Sequence, residues 1–176
     1  MNVEVSLRPA REEDLTFLNS LSNDPAASGE HQWYGWHSPH TYRQRWAENG
    51  LLSDDGGLLI VDAGTARSGL VSWRRIQATR SSHYWNIGAL LAPEARGKGY
   101  GSRAQRLLAE YLFAHTTVNR VEAGTEIGNV AEQRALEKAG FTREGVVRGA
   151  GFRDGRWHDG VLYSLVRSDL VSTTSP

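Results

Sequence analysis

A short glycine-rich segment, residues 96–102, carries the residue types best suited to ligand chemistry in this chain. Glycine lacks a Cβ, so the backbone of such a segment can approach a ligand closely. A helix is predicted to begin there, and a helix start offers unpaired N–H groups with a partial positive charge. Together these features form an anion site suited to a phosphate or pyrophosphate. Arg96 and Lys98 add positive charge, and Ser102 adds a hydroxyl donor.

Two common phosphate loops do not fit this segment. A Walker loop requires G-x-x-x-x-G-K-[ST], but Gly99 follows Lys98 and no glycine stands at the required earlier position. A dinucleotide-binding fingerprint requires G-x-G-x-x-G at the first strand of a Rossmann unit, whereas Gly101 comes one residue early and the segment lies far into the chain. A glycine-rich turn that only begins a helix remains the alternative.

The elements around this segment predict an α+β fold. Alternating or continuous apolar residues predict strands at residues 2–8, 58–62, 69–75, 83–91, 121–127, 142–148 and 161–167. Apolar residues at helical spacing predict helices over residues 11–22, from residue 38 onward, from the glycines to about residue 115, and over 129–139. Residues 149–160, which lie between the last two predicted strands, are rich in glycine, arginine and aspartate. This order predicts a mostly antiparallel sheet with helices packed on it.

Composition excludes several classes of function. The 176 residues contain 20 Lys and Arg against 20 Asp and Glu, and no Cys. The balanced charge argues against a nucleic-acid binder, and the lack of Cys excludes disulfide scaffolds, Cys-ligated metals and thiol nucleophiles. Neither a signal peptide nor a membrane span is expected. We therefore expect a cytoplasmic protein without a metal, with one domain over residues 1–170 and a frayed tail over 171–176.

Three motifs in order resemble the GNAT family of N-acetyltransferases. Arg96-x-x-Gly99-x-Gly101 is similar to the family's acyl-CoA loop, [RQ]-x-x-G-x-[GA], and residues 86–91 before it resemble the family's fourth strand. Asn129 and residues 136–145 resemble its fourth helix, and residues 157–165 resemble the closing strand of the branch that acetylates ribosomal-protein N-termini (the Rim-type branch). The resemblance covers residues 84–170. It implies a mixed, mostly antiparallel sheet that splays between the family's fourth and fifth strands, flanked by about four helices.

The resemblance also implies where acetyl-CoA binds. The pantetheine arm would pair with the backbone of Leu90 and Leu91. One of their two N–H groups, assigned here to Leu90, would stabilise the developing oxyanion. Asn129 would reach the pantetheine from its helix. The pyrophosphate would take the backbone N–H groups of Arg96, Gly97, Lys98, Gly99, Tyr100, Gly101 and Ser102. An amine would then attack the thioester directly, and the enzyme would position the reactants and move protons.

Two positions depart from the family pattern. Asn86 stands where relatives often carry a glutamate base, and a neutral amide cannot take a proton; we assign it to the acceptor site. Glu132 stands where Rim-type relatives tend to carry a serine near the leaving thiol. One interpretation is a capping box between Asn129 and Glu132. The other is that a partly buried Glu132 carboxyl is protonated and acts as the acid.

The acceptor side of the site is predicted less directly. The loop residues Trp33, Tyr34 and Trp36 can stack on a substrate or form a small satellite core, and Asp159 suits a cationic amine. His83, Glu126 and Glu30 are other candidate bases, and solvent can also deprotonate the amine. The predicted acceptor is a primary amine, on a peptide N-terminus or a small molecule. The alternatives in function are a non-catalytic acyl-CoA-binding regulatory module and an acyltransferase for a longer acyl group. The resemblance also implies a homodimer, which is common in the family.

Overall fold

Eight strands form one mixed sheet in the computed structural model, which describes residues 3–171 of the chain. The order is β1-β3-β4-β5-β6-β8-β7, and the short β2 pairs with β3 outside this path. The pair β5–β6 is parallel, and the other neighbours are antiparallel. This arrangement confirms the predicted α+β fold with a mixed, mostly antiparallel sheet.

The elements have the following bounds. The strands are β1 (Val5–Pro9), β2 (Leu52–Ser53), β3 (Gly56–Ala63), β4 (Ala66–Gln77), β5 (His83–Leu91), β6 (Arg120–Glu126), β7 (Thr142–Arg153) and β8 (Arg156–Val166). The described residues form six α-helices, two more than predicted: α1 (Leu15–Asn23), α2 (Pro25–Ser28), α3 (Thr41–Asn49), α4 (Tyr100–His115), α5 (Val130–Lys138) and α6 (Arg167–Val171). Of the predicted tail, residues 172–176 lie outside the described part of the chain.

Both faces of the sheet are covered. In β3, Leu59 and Val61 pack into a core with α4, whereas Leu58 and Ile60 pack into a second core with α1. A strand buried on both faces requires such a continuous apolar run rather than alternation. Among the residues that the structure describes, none of the helices has both the length and the apolar character required to cross a bilayer.

Residues 149–160, between the last two predicted strands, extend both strands into a long hairpin. β7 and β8 continue through it and meet at Asp154 and Gly155, which both have positive φ, 51° and 75°. A two-residue turn of this kind needs positive φ at both positions, and Asp-Gly is one of its preferred sequences. The register shift between Val147 and Gly151 absorbs the extra residues. Both strands are therefore longer than predicted, because a two-residue turn joins them at Asp154 and Gly155.

The sheet opens between β5 and β6, as expected. These strands pair over three positions, ending at Ile87 opposite Ala123. Beyond that point β5 continues to Leu91 and β6 continues to Glu126, but the two strands no longer pair with each other. Backbone groups that would normally bond across the sheet are therefore available to a ligand at this opening.

Candidate active site

Two clefts meet at the opening of the sheet. The first, which we call the glycine cleft, has a volume of about 410 Å³ and lies between the end of β5, the glycine-rich segment and α5. The second, which we call the polar cleft, has a volume of about 320 Å³ and is lined in part by Tyr34, Tyr42 and Glu126. Residues of β5, the loop after α2, and Glu132 border both. A long ligand in the glycine cleft would therefore end where the polar cleft begins.

The glycine-rich segment presents bare backbone to the glycine cleft. Gly97 and Gly99 have φ of 72° and 78°, and a Cβ at either position would meet nothing within 4 Å. Gly99 caps α4 without a side-chain hydrogen bond, so the first N–H groups of the helix face outward. The segment borders the cleft with Arg96, Gly97, Gly99, Tyr100, Gly101 and Ser102, whereas the exposed Lys98 is not part of this lining.

The Arg96 guanidinium is already occupied by backbone carbonyls. Its Nε donates to the Leu91 carbonyl at 3.0 Å, and its Nη2 donates to the carbonyls of Ala27 and Ser28. Arg96 thus ties the loop after α2 to the glycine-rich segment. We conclude that its side chain supports the wall of the glycine cleft rather than offering a free cation to it.

Two other cations border the glycine cleft, both on α5, and neither is paired with a carboxylate among residues 3–171. Arg134 and Lys138 border the cleft on the same face as Ala131 and Ala135, at helical spacing, and both are exposed. Neither residue was predicted from the sequence. The i, i+4 spacing of two cations on a helix that begins at Asn129 was the available signal.

The backbone direction of β5 changes the assignment of the oxyanion donor. The Ala89 carbonyl accepts from Gln32 Nε2 at 3.1 Å, and the Leu91 carbonyl accepts from Arg96 Nε at 3.0 Å. Both carbonyls thus point to the open side of β5. Because the backbone groups of successive residues in a strand point to opposite sides, Leu90 directs its N–H and C=O toward β4, where it pairs with Leu70.

The N–H of Leu90 therefore does not face the clefts, contrary to the predicted role. The parallel ladder ends at Ile87 and Ala123, so the next N–H on the open side is that of Ala89. Ala89 borders both clefts, while Leu91 borders the glycine cleft. Of the N–H groups of these three residues, that of Ala89 fits the oxyanion role best, and Leu90 contributes its side chain to the walls of both clefts.

Glu132 lies at the junction of the two clefts. Asn129 Oδ1 accepts from the Glu132 N–H at 3.3 Å and caps α5, but the Asn129 N–H donates to the Glu126 carbonyl. The capping box is thus only half formed, and the Glu132 carboxyl borders both clefts instead. Burial raises the pKa of Glu132 to about 7, although the fully buried Gln105 side chain on α4 partly offsets this shift. A carboxyl of this kind is partly protonated at neutral pH and can donate a proton.

Replacing Glu132 with Gln should change the pH dependence of stability. The pKa of Glu132 is raised from 4.5 to about 7, so its contribution to stability is complete below about pH 4.5 and is lost as pH rises through about 7. Glu132→Gln should therefore be more stable than the wild type at alkaline pH, by up to about 3 kcal/mol, and equally stable at acidic pH. Urea unfolding at both pH values measures this difference. An equal difference at both would contradict the burial of this carboxyl.

Glu126 is held as a carboxylate and is a poor base. Arg153 donates to it through Nε and Nη2 at 2.6 and 2.9 Å, and this pairing lowers the pKa of Glu126 to about 2. His31, on the loop after α2, places Nδ1 3.2 Å from Glu126 Oε2. His31 and Arg153 were not predicted as site residues, because their contacts with Glu126 join distant parts of the chain.

The other predicted base candidates lie in different surroundings. His83 begins β5 at the end away from the clefts, with its ring edge-on to Trp85. Glu30 is exposed on the rim of the glycine cleft.

The predicted acceptor residues are only partly brought together. Tyr34 borders the polar cleft. Trp33 and Trp36 lie outside it and pack edge-to-face, with their ring centroids 5.6 Å apart. Trp36 is 81% exposed. Asn86 Oδ1 accepts from Arg74 at 3.4 Å and lies beyond the end of the cleft lining. Asp159 accepts from the Gly149 N–H and borders a neighbouring depression that also contains His31 and Glu126.

The family comparison covers most of the chain. Residues 4–142 match the acetyltransferase (GNAT) domain family. Three relatives from Bacillus subtilis are 28 to 36% identical, and the matches span 46 to 66% of their length. One of them, YdaF, is named as a candidate ribosomal N-acetyltransferase. It is 32% identical to this chain over 73% of this chain and 66% of the length of YdaF.

Similarity over the full length is found to polyamine enzymes. The spermidine N(1)-acetyltransferase of Vibrio cholerae is 24% identical over 98% of both chains. The crystal structure of a spermidine N-acetyltransferase from Vibrio cholerae in complex with CoA and spermine has a TM-score of 0.79, with 19% identity over 95% of this chain and 98% of that one. At this identity the structural likeness shows the fold.

Proposed function

The chain belongs to the GNAT acetyltransferase family, and from that premise we propose that it transfers the acetyl group of acetyl-CoA to a primary amine. The observation that carries the proposal is the position of Glu132, a carboxyl with a raised pKa at the junction of the two clefts. A thioester at this junction would have an acid beside its sulfur and the Ala89 N–H available to its oxygen.

The residues of the glycine cleft fit the parts of acetyl-CoA. The open space over Gly97 and Gly99 and the N–H groups of α4 suit a pyrophosphate. The Leu90 and Leu91 side chains with Ala135 provide an apolar wall for the pantetheine arm. Arg134 and Lys138 supply charge for a further phosphate. These residues, together with Asn129, which also borders the cleft, would hold acetyl-CoA there.

The proposed chemistry uses few groups of the chain. Acetyl-CoA supplies the activated acetyl group. Because the chain has no Cys, no thioester can form on it, and we propose that the amine attacks the substrate directly. The Ala89 N–H, in place of Leu90, stabilises the negative charge that develops on the carbonyl oxygen. Neutral Glu132 gives its proton to the departing thiolate.

The polar cleft is the proposed acceptor site. It offers hydroxyl groups from Tyr34, Tyr42 and Ser22, and the Glu126 carboxylate stands at its edge. This lining suits a small, polar, cationic amine, and the similarity to spermidine acetyltransferases supports that class. A peptide N-terminus, which the Rim-type resemblance and YdaF support, is the second candidate.

The test combines binding with turnover. Acetyl-CoA and a longer acyl-CoA are titrated by calorimetry, and thiol release is then followed with spermidine, benzylamine and an alanyl peptide. We expect acetyl-CoA to bind and its thiol to be released with at least one amine. No binding would overturn the proposal. Binding without thiol release would favour a regulatory module, and faster turnover of the longer acyl group would favour a different acyltransferase.

Removing the α5 cations should weaken acetyl-CoA recognition. Exposed charges of this kind contribute up to about 1 kcal/mol each, so the double variant Arg134→Ala/Lys138→Ala should raise KM for acetyl-CoA about tenfold and leave kcat unchanged. Steady-state kinetics at low salt measure the effect, and Arg80→Ala, an exposed arginine between β4 and β5, is the control. An unchanged KM would show that the phosphates bind elsewhere.

A homodimer is the proposed assembly. β7 is an edge strand of the sheet and exposes Val146 and Val147, and Phe152 and Trp157 are exposed at the tip of the same hairpin. A second copy would cover these apolar side chains.

A further inference from the structure

We propose that His31 is the base that removes a proton from the acceptor ammonium. The inference rests on the proposed function, since it assigns a residue to the deprotonation that amine acetylation requires. It answers the problem left by Asn86, which cannot take a proton, and by Glu126, which is committed to Arg153.

His31 borders both the proposed acceptor site and the proposed acetyl-CoA site. It borders the glycine cleft, the polar cleft and the neighbouring depression, and its side chain is 25% exposed. A Cβ at Gly128 would lie 3.4 Å from His31 Cε1, so the imidazole edge faces the connection between β6 and α5. Glu126 ends β6 and Glu132 lies in the first turn of α5. The imidazole therefore lies beside the junction where the thioester is proposed to sit.

The contact with Glu126 fixes the tautomer of His31. Glu126 is held ionised by Arg153, so it can only accept a hydrogen bond. Nδ1, 3.2 Å from Glu126 Oε2, must then carry the hydrogen. Nε2 of the neutral ring keeps its lone pair, and among the described residues it has no hydrogen-bond partner. A carboxylate that orients an imidazole in this way is a common device for preparing a base.

The charged groups around His31 come from several elements. Arg153 on β7 and His158 on β8 contact Glu126, with His158 Nδ1 3.6 Å from Glu126 Oε2. Glu30 precedes His31 on its own loop and, like His31, borders the depression beside Glu126. Glu132 on α5 borders the two clefts that His31 also borders. The remaining charged groups of the depression are Arg156 and Asp159 on β8. These groups also titrate and could shape the pH profile of kcat/KM. We therefore use the ratio of kcat/KM between the wild type and His31→Gln at each pH, because both proteins contain all of these groups.

The proton balance of the reaction is complete without a further reactant. The ammonium gives one proton to His31 Nε2, which passes it to solvent, and the free amine attacks the thioester carbon. The C–N bond forms as the C–S bond breaks, and the thiolate takes a proton from Glu132. After the C–N bond has formed, the nitrogen loses a second proton to solvent, and the Glu132 carboxylate takes up a proton from solvent. The products are the acetylated amine, the free thiol of CoA and one released proton.

The experiment compares His31→Gln with the wild type over a range of pH. The acceptor is whichever of spermidine, benzylamine or the alanyl peptide the wild type acetylates fastest. The expected loss in kcat/KM is about 100-fold near pH 7 and under about fivefold near pH 10, because at high pH solvent supplies the free amine. The exposed His37, on the same loop, provides the matched control His37→Gln, which should match the wild type throughout.

A second measurement does not depend on turnover. Nitrogen-15 NMR of the imidazoles should show the neutral His31 ring with its hydrogen on Nδ1, and Glu126→Gln should abolish this preference. A loss of activity that is equal at all pH values would mean that His31 only orders the loop, and a neutral ring with its hydrogen on Nε2 would also overturn the proposal. If the wild type acetylates no amine, the proposed function itself has failed and this inference falls with it.

Discussion

Glu132→Gln is expected to lower kcat about a hundredfold and to leave the affinity for acetyl-CoA within about twofold. The substitution keeps the shape of the side chain and removes the proton that the carboxyl donates to the thiolate, and general acids contribute about 10²–10⁴-fold to rate. The pKa of Glu132 is about 7, so the ratio of wild-type to variant kcat should fall as pH rises above 7 and the neutral carboxyl is lost. Thiol release across pH measures both effects.

The control for this variant is Glu48→Gln, an exposed glutamate on α3 away from both clefts. It should not change kcat. If Glu132→Gln leaves kcat unchanged, Glu132 is only a helix residue, and the acid role is excluded.

Gly99→Ala is expected to weaken acetyl-CoA binding about a hundredfold. Gly99 has a φ of 78°, which an L-residue adopts with strain, and its Cβ would project into the open space where the pyrophosphate is proposed to bind. Both effects disturb the N–H groups at the start of α4. Calorimetric titration of acetyl-CoA measures the change in Kd.

Gly50→Ala separates the two effects. Gly50 ends α3 with a φ of 67°, and its Cβ would also meet nothing within 4 Å, but it borders none of the clefts described above. This variant should lose similar stability and keep its acetyl-CoA affinity. Equal Kd values for the Gly99 and Gly50 variants would show that the glycine-rich segment only begins a helix.

The elements that carry long periodic patterns were predictable from the sequence. α4 and β5 have the predicted bounds to within a residue or two. The glycine-rich segment lies where β5 leads into α4, as predicted. The first helix begins later than predicted, because Asp14 accepts from the Arg11 N–H and pairs with Arg8, which fixes a 3₁₀ turn before Leu15. Such a turn depends on an ion pair between two elements, and no local pattern encodes it.

The site was predictable only where a motif was continuous in the chain. The glycine-rich segment and the Asn129 cap could be assigned in this way. The direction of the Leu90 backbone depends on how β5 pairs with β4, and the His31–Glu126 contact joins residues 95 positions apart. Contacts of this kind arise only when the sheet and the loop after α2 fold together, so a single sequence could not specify them.

The central claim is that an amine is acetylated where the two clefts meet. Mass spectrometry of spermidine, benzylamine and the alanyl peptide, after incubation with the protein and acetyl-CoA, tests it most directly. We expect one of these amines to gain an acetyl group in an amount equal to the CoA released, and this product to fall about a hundredfold with Glu132→Gln. An acetyl-CoA complex that leaves every amine unmodified, or a product formed equally well by Glu132→Gln, would contradict the account.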